Sequence, residues 1–310
     1  AARDGGASAD QIAKRFFAER RYAGSKDRRA VRDLAWGVIR RFGKRPATAR
    51  SAFAAMADAD PELAALFDGS DYGPAVMDPT EARSTGGALP KWIKPLFSEH
   101  VDESEQASLL DRAPMDLRVN ALKARREEVA ALLPEAEVLP DLDFALRLPG
   151  GTAIDSHPAV ENGQVEIQDL GSQLIVEACQ AKGLGTVLDL CAGAGGKTLA
   201  LAAAMRNAGR LIATDTNRNR LDQLQPRAAR AGASNVETRL LNPNKEKDML
   251  SDLKDKCDLV LIDAPCSGSG TWRRNPETRW RLDAARLKRV VYEQAKLLDI
   301  GSEMVAHGGH

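Results

Sequence analysis

The chain has 310 residues, enough for two or three domains with sizeable cores, and its 44 basic side chains balance its 44 acidic ones. No apolar run approaches the ~20 residues of a membrane helix, and nothing near Ala1 resembles a signal peptide. Its four cysteines and four histidines lack C-x-x-C or H-x-x-x-H spacing, which argues against a zinc site or disulfide framework and for a reducing, cytoplasmic setting.

Charge is nevertheless uneven, for between Lys14 and Arg45 twelve Lys and Arg stand against three acids. Such a run reads as a solvated helix face or as a nucleic-acid surface, and composition leaves both open. Ile12 and Phe16 are four apart, and Val31, Leu34, Ala35, Val38 and Ile39 repeat at three and four, so helices are expected over residues 9–18 and 28–42. Two more are expected over 47–57 and 62–67. The Gly, Pro, Ser and Asp of residues 68–89 then mark a boundary. From Pro90 the pattern is mixed: helices over 105–110 and 124–133, strands over 117–120, 137–139 and 145–148, the grammar of a small α+β module. A strand over 164–168 and a helix over 172–179 lead into regular alternation. Strands are expected over 186–190, 211–214, 236–240 and 258–262, with helices over 197–205, 218–231 and 283–304, which implies a parallel sheet. The expected fold class is α/β: a Rossmann-like domain over 166–310, preceded by a small α+β module over 86–165 and an all-helical domain over 1–85.

At the first strand of that sheet, Asp189-Leu190-Cys191-Ala192-Gly193-Ala194-Gly195-Gly196-Lys197-Thr198 runs from strand through a glycine turn into a helix. Ligands of nucleotide type sit at such junctions, because glycines let the backbone approach and helix amides face the ligand. Gly196-Lys197-Thr198 could end a P-loop, with Leu259 to Asp263 imitating its partner strand, but Cys191 stands where the first glycine is required. The G-x-G-x-x-G dinucleotide pattern is absent too. Asp215 closes the second strand about twenty residues after the turn, where an acid can accept both hydroxyls of a ribose. A glycine turn with that acid and no pyrophosphate cradle suits S-adenosylmethionine; a turn kept only for tight packing is the plain alternative.

The fourth strand ends in Asp263-Ala264-Pro265-Cys266-Ser267-Gly268-Ser269-Gly270-Thr271. A lone cysteine is commonly a small buried hydrophobe. Cys266, however, lies in a polar loop beyond a strand end, at the same sheet edge as the glycine turn. Cys179 and Cys257 sit in apolar contexts and read as structural, and Cys191 as shaping the turn.

These two clusters, with Gln168-Asp169-Leu170-Gly171-Ser172-Gln173 upstream, resemble the Sun-type (Nol/Nop/Sun) RNA cytosine-C5 methyltransferases. Within that family the chain is most similar to the bacterial RsmB-like ribosomal RNA enzymes, whose catalytic domain follows a helical NusB-like RNA-binding domain. Arg118-Val119-Asn120 and Pro90-Lys91-Trp92 resemble further landmarks of the family, so the resemblance covers residues from about 90 to 310. It implies a donor-binding set of Cys191, Ala192, Gly193, Ala194, Gly195, Gly196, Lys197, Asp215, Arg220, Asn242 and Asp263. Asn242 stands where the family has an acid near adenine, and Ala194 where it has a proline.

Carbon 5 of cytosine is a poor nucleophile until a thiolate adds to carbon 6, and an acid near ring nitrogen 3 must stabilise the charge that develops. Chemistry alone would give these roles to Cys266 and Asp263, with Lys197 pointing toward the base. The resemblance reassigns Cys266 to product release, because the family's attacking cysteine lies in a Thr-Cys-Ser element after a Gly-Gly turn, here Gly308-Gly309. It implies that this cysteine and three further strands, two of them a hairpin, lie beyond residue 310. Without those strands the apolar segment 259–262 is expected to lack a neighbour on one side.

Between Trp272 and Arg289, arginines alternate with tryptophans. Arg273, Arg274 and Trp280, with Arg118 upstream, are the candidate RNA contacts, by stacking and phosphate binding; anchoring of the tryptophans in the core is the competing account. The expected protein is an S-adenosylmethionine-dependent RNA cytosine-5 methyltransferase, a monomer that takes RNA, ribosomal RNA foremost, and needs neither metal nor membrane. A non-catalytic RNA- and cofactor-binding protein is the alternative if the natural chain ends at His310, and a P-loop-like NTPase the more distant one.

Overall fold

The computed structural model describes residues 7–71 and 73–310, so the first six residues of the expected helical domain, and Tyr72 within it, lie outside the described residues. Two units are present, one comprising the chain up to Ala113 together with Ser267–Leu287, the other Pro114–Cys266 with Lys288–His310.

In the first unit, α1 (Ala9–Ala18) starts at Ser8, whose hydroxyl accepts the Gln11 amide while the Gln11 side chain accepts the Ser8 amide. This reciprocal cap satisfies two otherwise orphaned donors. Helix α2 (Ser25–Arg41) begins three residues earlier than its apolar spacing suggests, because Asp27 reaches back to the Gly24 amide. None of its residues is fully buried, which is why periodicity is faint at its start. Helices α3 (Ala49–Ala57), α4 (Pro61–Ala65) and α5 (Glu103–Ser108) follow. Trp272 is fully buried among Leu89, Ile93, Leu110 and Leu282. Arg279, also fully buried, donates to the carbonyls of Ile39, Arg40 and Phe42 at the end of α2, as well as to Pro276. Those carbonyls have no helical partner and carry the negative end of the helix dipole, so a cation is the natural cap. Burial lowers the Arg279 pKa to about 10.

The second unit contains two sheets. Strands β1 (Met115–Val119), β2 (Glu137–Val138), β3 (Ala145–Leu148) and β4 (Val165–Ile167) form an antiparallel sheet in the order β2-β3-β1-β4, with α6 (Arg126–Leu132) and α7 (Pro158–Glu161) in its connections. Leu117, Val119, Leu146 and Val165 fill its core with α6's Val129. Helix α8 (Leu170–Ala178) leads to the parallel sheet, whose strands β5 (Thr186–Asp189), β6 (Arg210–Asp215), β7 (Val236–Leu240) and β8 (Leu259–Leu261) lie in the order β7-β6-β5-β8. Helix α9 (Gly196–Ala204) joins β5 to β6. The helix expected over 218–231 is broken into α10 (Arg218–Leu221) and α11 (Leu224–Ala231). Pro226 explains the break, since it has no amide to donate and its ring crowds the carbonyl four residues earlier, while a place in the first turn of a new helix suits it. Helix α12 (Glu246–Met249) precedes β8, and α13 (Ala284–Met304) follows it.

The boundary expected at 165–166 falls inside this unit. Asn120, after β1, donates its side-chain amide both to Gly163 and to Ala231 at the end of α11, at 2.8 and 2.7 Å. Strand β8 is an edge of the parallel sheet, as expected, but the start of that edge is partly paired. Helix α13 buries Ile300 and Met304, and at Gly301 it comes so close that a Cβ would lie 2.6 Å from the Ile262 side chain. The chain is thereby returned along β8: Ala306 donates to Cys257, His310 to Asp258, and Val260 to His310. Among the described residues no helix is long and apolar enough to cross a membrane.

Candidate functional site

Strands β5 and β8 are parallel neighbours, so the segments that follow them emerge at the same end of the sheet. The segment after β5 is a tightly determined turn. Ala192 donates to the Thr214 carbonyl at 2.8 Å, the Thr214 hydroxyl donates to the Leu190 carbonyl at 2.8 Å, and Gly195 donates to Ala192 at 2.9 Å. Gly193 and Gly195 adopt φ of +56° and +87°, the left-handed region that penalises any Cβ. A Cβ at Gly193 would stand 2.4 Å from the Arg220 guanidinium, and one at Gly195 2.6 Å from the Leu224 side chain. Gly196 differs. Its φ is unexceptional and a Cβ there would meet nothing within 4 Å, so the folded chain itself does not require this glycine.

Asp215, at the end of β6, is 8% exposed. One carboxylate oxygen accepts the Gly193 amide at 2.9 Å and the other the Asn217 amide at 2.7 Å. Each oxygen keeps acceptor capacity for a hydroxyl-bearing ligand. Helix α9 starts from Gly195 without any side-chain cap, so its first amides are available to a ligand as well. Asn242 lies just past the end of β7, the strand paired with β6, and is exposed. Cys191 is half-buried, and burial together with the charges of Asp189, Asp215 and Asp263 pushes its thiol up to about 12.

Asp189 has no place in the set expected from the sequence, yet it is fully buried directly before the turn. One of its oxygens accepts the Thr198 hydroxyl at 2.7 Å, and the other is buried without a hydrogen-bond partner. Burial raises its pKa to about 6 against the bond from Thr198, with Asp263 adding to the rise and Lys197 opposing it. An acid ending an otherwise apolar strand was the sequence signal for it.

The segment after β8 is held more loosely. Lys197 Nζ meets Asp263 Oδ2 at 2.6 Å, the lysine side chain 13% and the aspartate 50% exposed, and this ion pair joins the two segments. Gln294 of α13 donates to the Pro265 carbonyl at 2.9 Å. Cys266 is the exposed member of the four cysteines, whereas Cys179 and Cys257 are buried, with thiols raised by desolvation, Cys257 to about 11. The structure thus brings together Lys197, Asp263, Asp215, Arg220 and the turn.

One of the candidate RNA contacts is corrected, and the competing account of the tryptophans gains support. Arg118 is buried, its guanidinium donating to Gln168 at 2.6 Å, so it presents no surface to a nucleic acid. Trp280 is half-buried with its indole N–H donated to the Phe42 carbonyl at 2.6 Å, and with Trp272 it anchors its loop in the core. The polar ends of Arg118 and Trp280 are engaged internally, which composition cannot show. Arg273 is half-buried with a bond to the Arg112 carbonyl, and Arg274 is exposed. Among the described residues no group of three or more His, Cys, Asp or Glu is arranged to hold a metal ion.

Residues 178–310 match a family described as 16S rRNA methyltransferase RsmB/F. The chain is 32% identical over 234 residues to a probable ribosomal RNA small subunit methyltransferase B of Synechocystis sp., covering 72% of this chain and 51% of that protein. It is 30% identical over 246 residues to the probable protein of that name from Bacillus subtilis, covering 76% and 54%. It therefore spans about half the length of the curated relatives it matches. A solved methyltransferase homologue from Pyrococcus horikoshii superposes with a TM-score of 0.56 at 27% identity, over 66% of this chain and 65% of that one.

Proposed function

We propose that the chain is a member of the Sun-type methyltransferase family, on its RsmB/F branch, that it holds S-adenosylmethionine in the β5–α9 turn, and that it serves methyl transfer to carbon 5 of a cytosine in RNA, small-subunit ribosomal RNA foremost. One observation carries this reading. The glycine turn with its Asp215 acceptor and the Asp263-Ala264-Pro265-Cys266 loop share one sheet end and are joined through Lys197 at 2.6 Å. The residues fit the donor. Asp215 offers both carboxylate oxygens to ribose hydroxyls, Gly196 leaves open the space a side chain would fill, and Asn242 lies past the neighbouring strand as a hydrogen-bonding group for adenine. When bound, the donor supplies an electrophilic methyl group.

Lys197 and Asp263 act together on the base. Asp263 faces ring nitrogen 3, and Lys197 holds the carboxylate in place while keeping a cation where negative charge develops. Cys191 and Cys257 are poor thiolates at neutral pH, their thiols standing at about 12 and 11. Cys266 is the thiol open to substrate, and the family pattern gives it the release of the methylated base. The attacking cysteine of that pattern lies in a Thr-Cys-Ser element that these 310 residues do not contain. RNA is gripped by the basic α2 region and by Arg273 and Arg274.

Bisulfite mapping of ribosomal RNA from cells with and without the gene tests the reaction: loss of one protected cytosine is expected, and an unchanged map would remove the reading. Tritiated methyl transfer by the 310-residue chain on undermodified ribosomal RNA tests the cysteine assignment. Full turnover there would return the attack to Cys266.

A further inference from the structure

Two carbonyls of the glycine turn, those of Ala194 and Gly196, are held from outside the parallel sheet. Arg227 of α11 donates one guanidinium nitrogen to the Ala194 carbonyl at 2.7 Å and the other to Glu166 of β4 at 2.6 Å. Gln168, just past β4, donates its side-chain amide to the Gly196 carbonyl at 3.2 Å while its oxygen accepts Arg118 at 2.6 Å. Two relays, Glu166–Arg227–Ala194 and Arg118–Gln168–Gly196, therefore run from the antiparallel sheet to the two ends of the Gly195–Gly196 segment. Fixing a carbonyl fixes its whole peptide plane, and with it the direction of the following amide. Ala194 thereby sets the Gly195 peptide, and Gly196 sets the Lys197 amide at the uncapped start of α9.

The groups involved are costly to bury. Glu166 is 3% and Arg118 6% exposed, and desolvation lowers the Arg118 pKa to about 10. Burial also presses against ionisation of Glu166, yet Arg227 and Arg230 hold its carboxyl below its ordinary range. A buried ion pair is weak support for stability, since packed apolar residues of like volume commonly do as well. What apolar residues could not supply is a directed donor to the Ala194 and Gly196 carbonyls.

We propose that Glu166, Arg227 and Gln168 are positioning residues for the methyl donor, setting the peptide planes of the turn from the antiparallel sheet, an inference that rests on the reading of that turn as the donor site. Arg230 provides the internal control. It pairs with the same Glu166 at 2.6 Å, and its recorded bonds include none to the turn.

The test compares Arg227→Lys, Gln168→Leu and Arg230→Met with the wild-type protein. Arg227→Lys keeps a cation for Glu166 but has one nitrogen where two are used. Titration calorimetry with S-adenosylhomocysteine, hydrogen exchange of the peptide covering 190–199 without ligand, and the KM and kcat for the donor are measured on each. For Arg227→Lys and Gln168→Leu we expect affinity about tenfold lower, KM raised with kcat within about twofold, and faster exchange confined to the turn. For Arg230→Met we expect affinity within twofold of wild type. Unchanged affinity and exchange in the first two variants would overturn the proposal, and so would equal losses at Arg230 and Arg227, which would mark the cluster as structural only. A wild-type protein that binds no S-adenosylhomocysteine would instead sink the donor-site reading, and the exchange data alone would then decide whether the relays set the turn.

Discussion

The two segments that emerge side by side after β5 and β8 are built in opposite ways. The glycine turn is fixed by Thr214, Asp215, Gln168 and Arg227, with two glycines in backbone conformations other residues resist. The Asp263–Cys266 segment leans on one ion pair and one bond from Gln294, and it exposes both of its reactive groups. On the proposed function the difference follows from what each must meet. A small ligand of constant shape rewards a preorganised pocket, because ordering completed during folding is not charged against binding. A base that must be drawn out of a folded RNA requires a side left open to solvent until it arrives.

Substitution on the open side should strike chemistry and spare the fold. Asp263→Ala is expected to lower the methyl transfer rate by about 10²–10⁴-fold, the range for a lost acid or charge stabiliser, with donor affinity changed less than tenfold. Single-turnover rates beside calorimetry would show this. Equal losses in rate and affinity would place Asp263 with the turn and erase the contrast.

On the braced side the largest effect should appear as a pH dependence. The native pKa of Asp189, about 6, lies above the unfolded value near 4, so the folded state binds this proton more tightly than the unfolded state does. Its stability contribution is whole below about pH 4 and is lost as pH rises through about 6, a change on the order of 3 kcal/mol. Asp189→Asn should remove that decline, leaving urea-unfolding free energies flatter than wild type between pH 4 and 7. Parallel curves for the two proteins would mean that Asp189 is not strained by burial. A smaller loss is expected from Asp215→Ala, about 10- to 100-fold in S-adenosylhomocysteine affinity at constant pH, because it removes the carboxylate that holds the Gly193 amide and that the proposed function assigns to the donor's ribose. Unaltered binding would show that the turn holds its shape, and its ligand, without the acid.

How much of this was legible beforehand divides along the same line. The strand–turn–helix of β5 to α9, Asp215, and the loop with Asp263 and Cys266 were readable because each lies in one short motif at the end of an apolar strand. Asp189 was visible in that motif but without a role, since only burial shows that one of its oxygens lacks a partner. The relays through Glu166, Arg227 and Gln168 were not legible, because they join residues whose separation reaches 61 positions and whose charges look like ordinary surface charges in sequence. Arg118 misled for the converse reason, being a residue type typical of RNA surfaces that here completes an internal hydrogen bond. The break at Pro226 and the pairing of Ala306 and His310 with the edge of β8 depend on local backbone and on the return of α13, which periodicity does not record.

The finest test concerns the one glycine of the turn that the fold does not demand. Gly193 and Gly195 have positive φ and crowded Cβ positions, so alanine there should cost stability whether or not a ligand binds. Gly196 has neither constraint, and as the first residue of α9 it should accept alanine with a gain of about 0.4–1 kcal/mol, chiefly by restricting the unfolded chain. If the space beside it is empty because the donor lies there, Gly196→Ala should at the same time weaken S-adenosylhomocysteine binding several-fold, separating stability from affinity in opposite directions. Thermal unfolding with and without ligand reads both signs in one experiment. A variant both more stable and equally tight would show that the donor does not approach the backbone at Gly196, and the preorganised pocket would then have to be drawn around Gly193 and Asp215 alone.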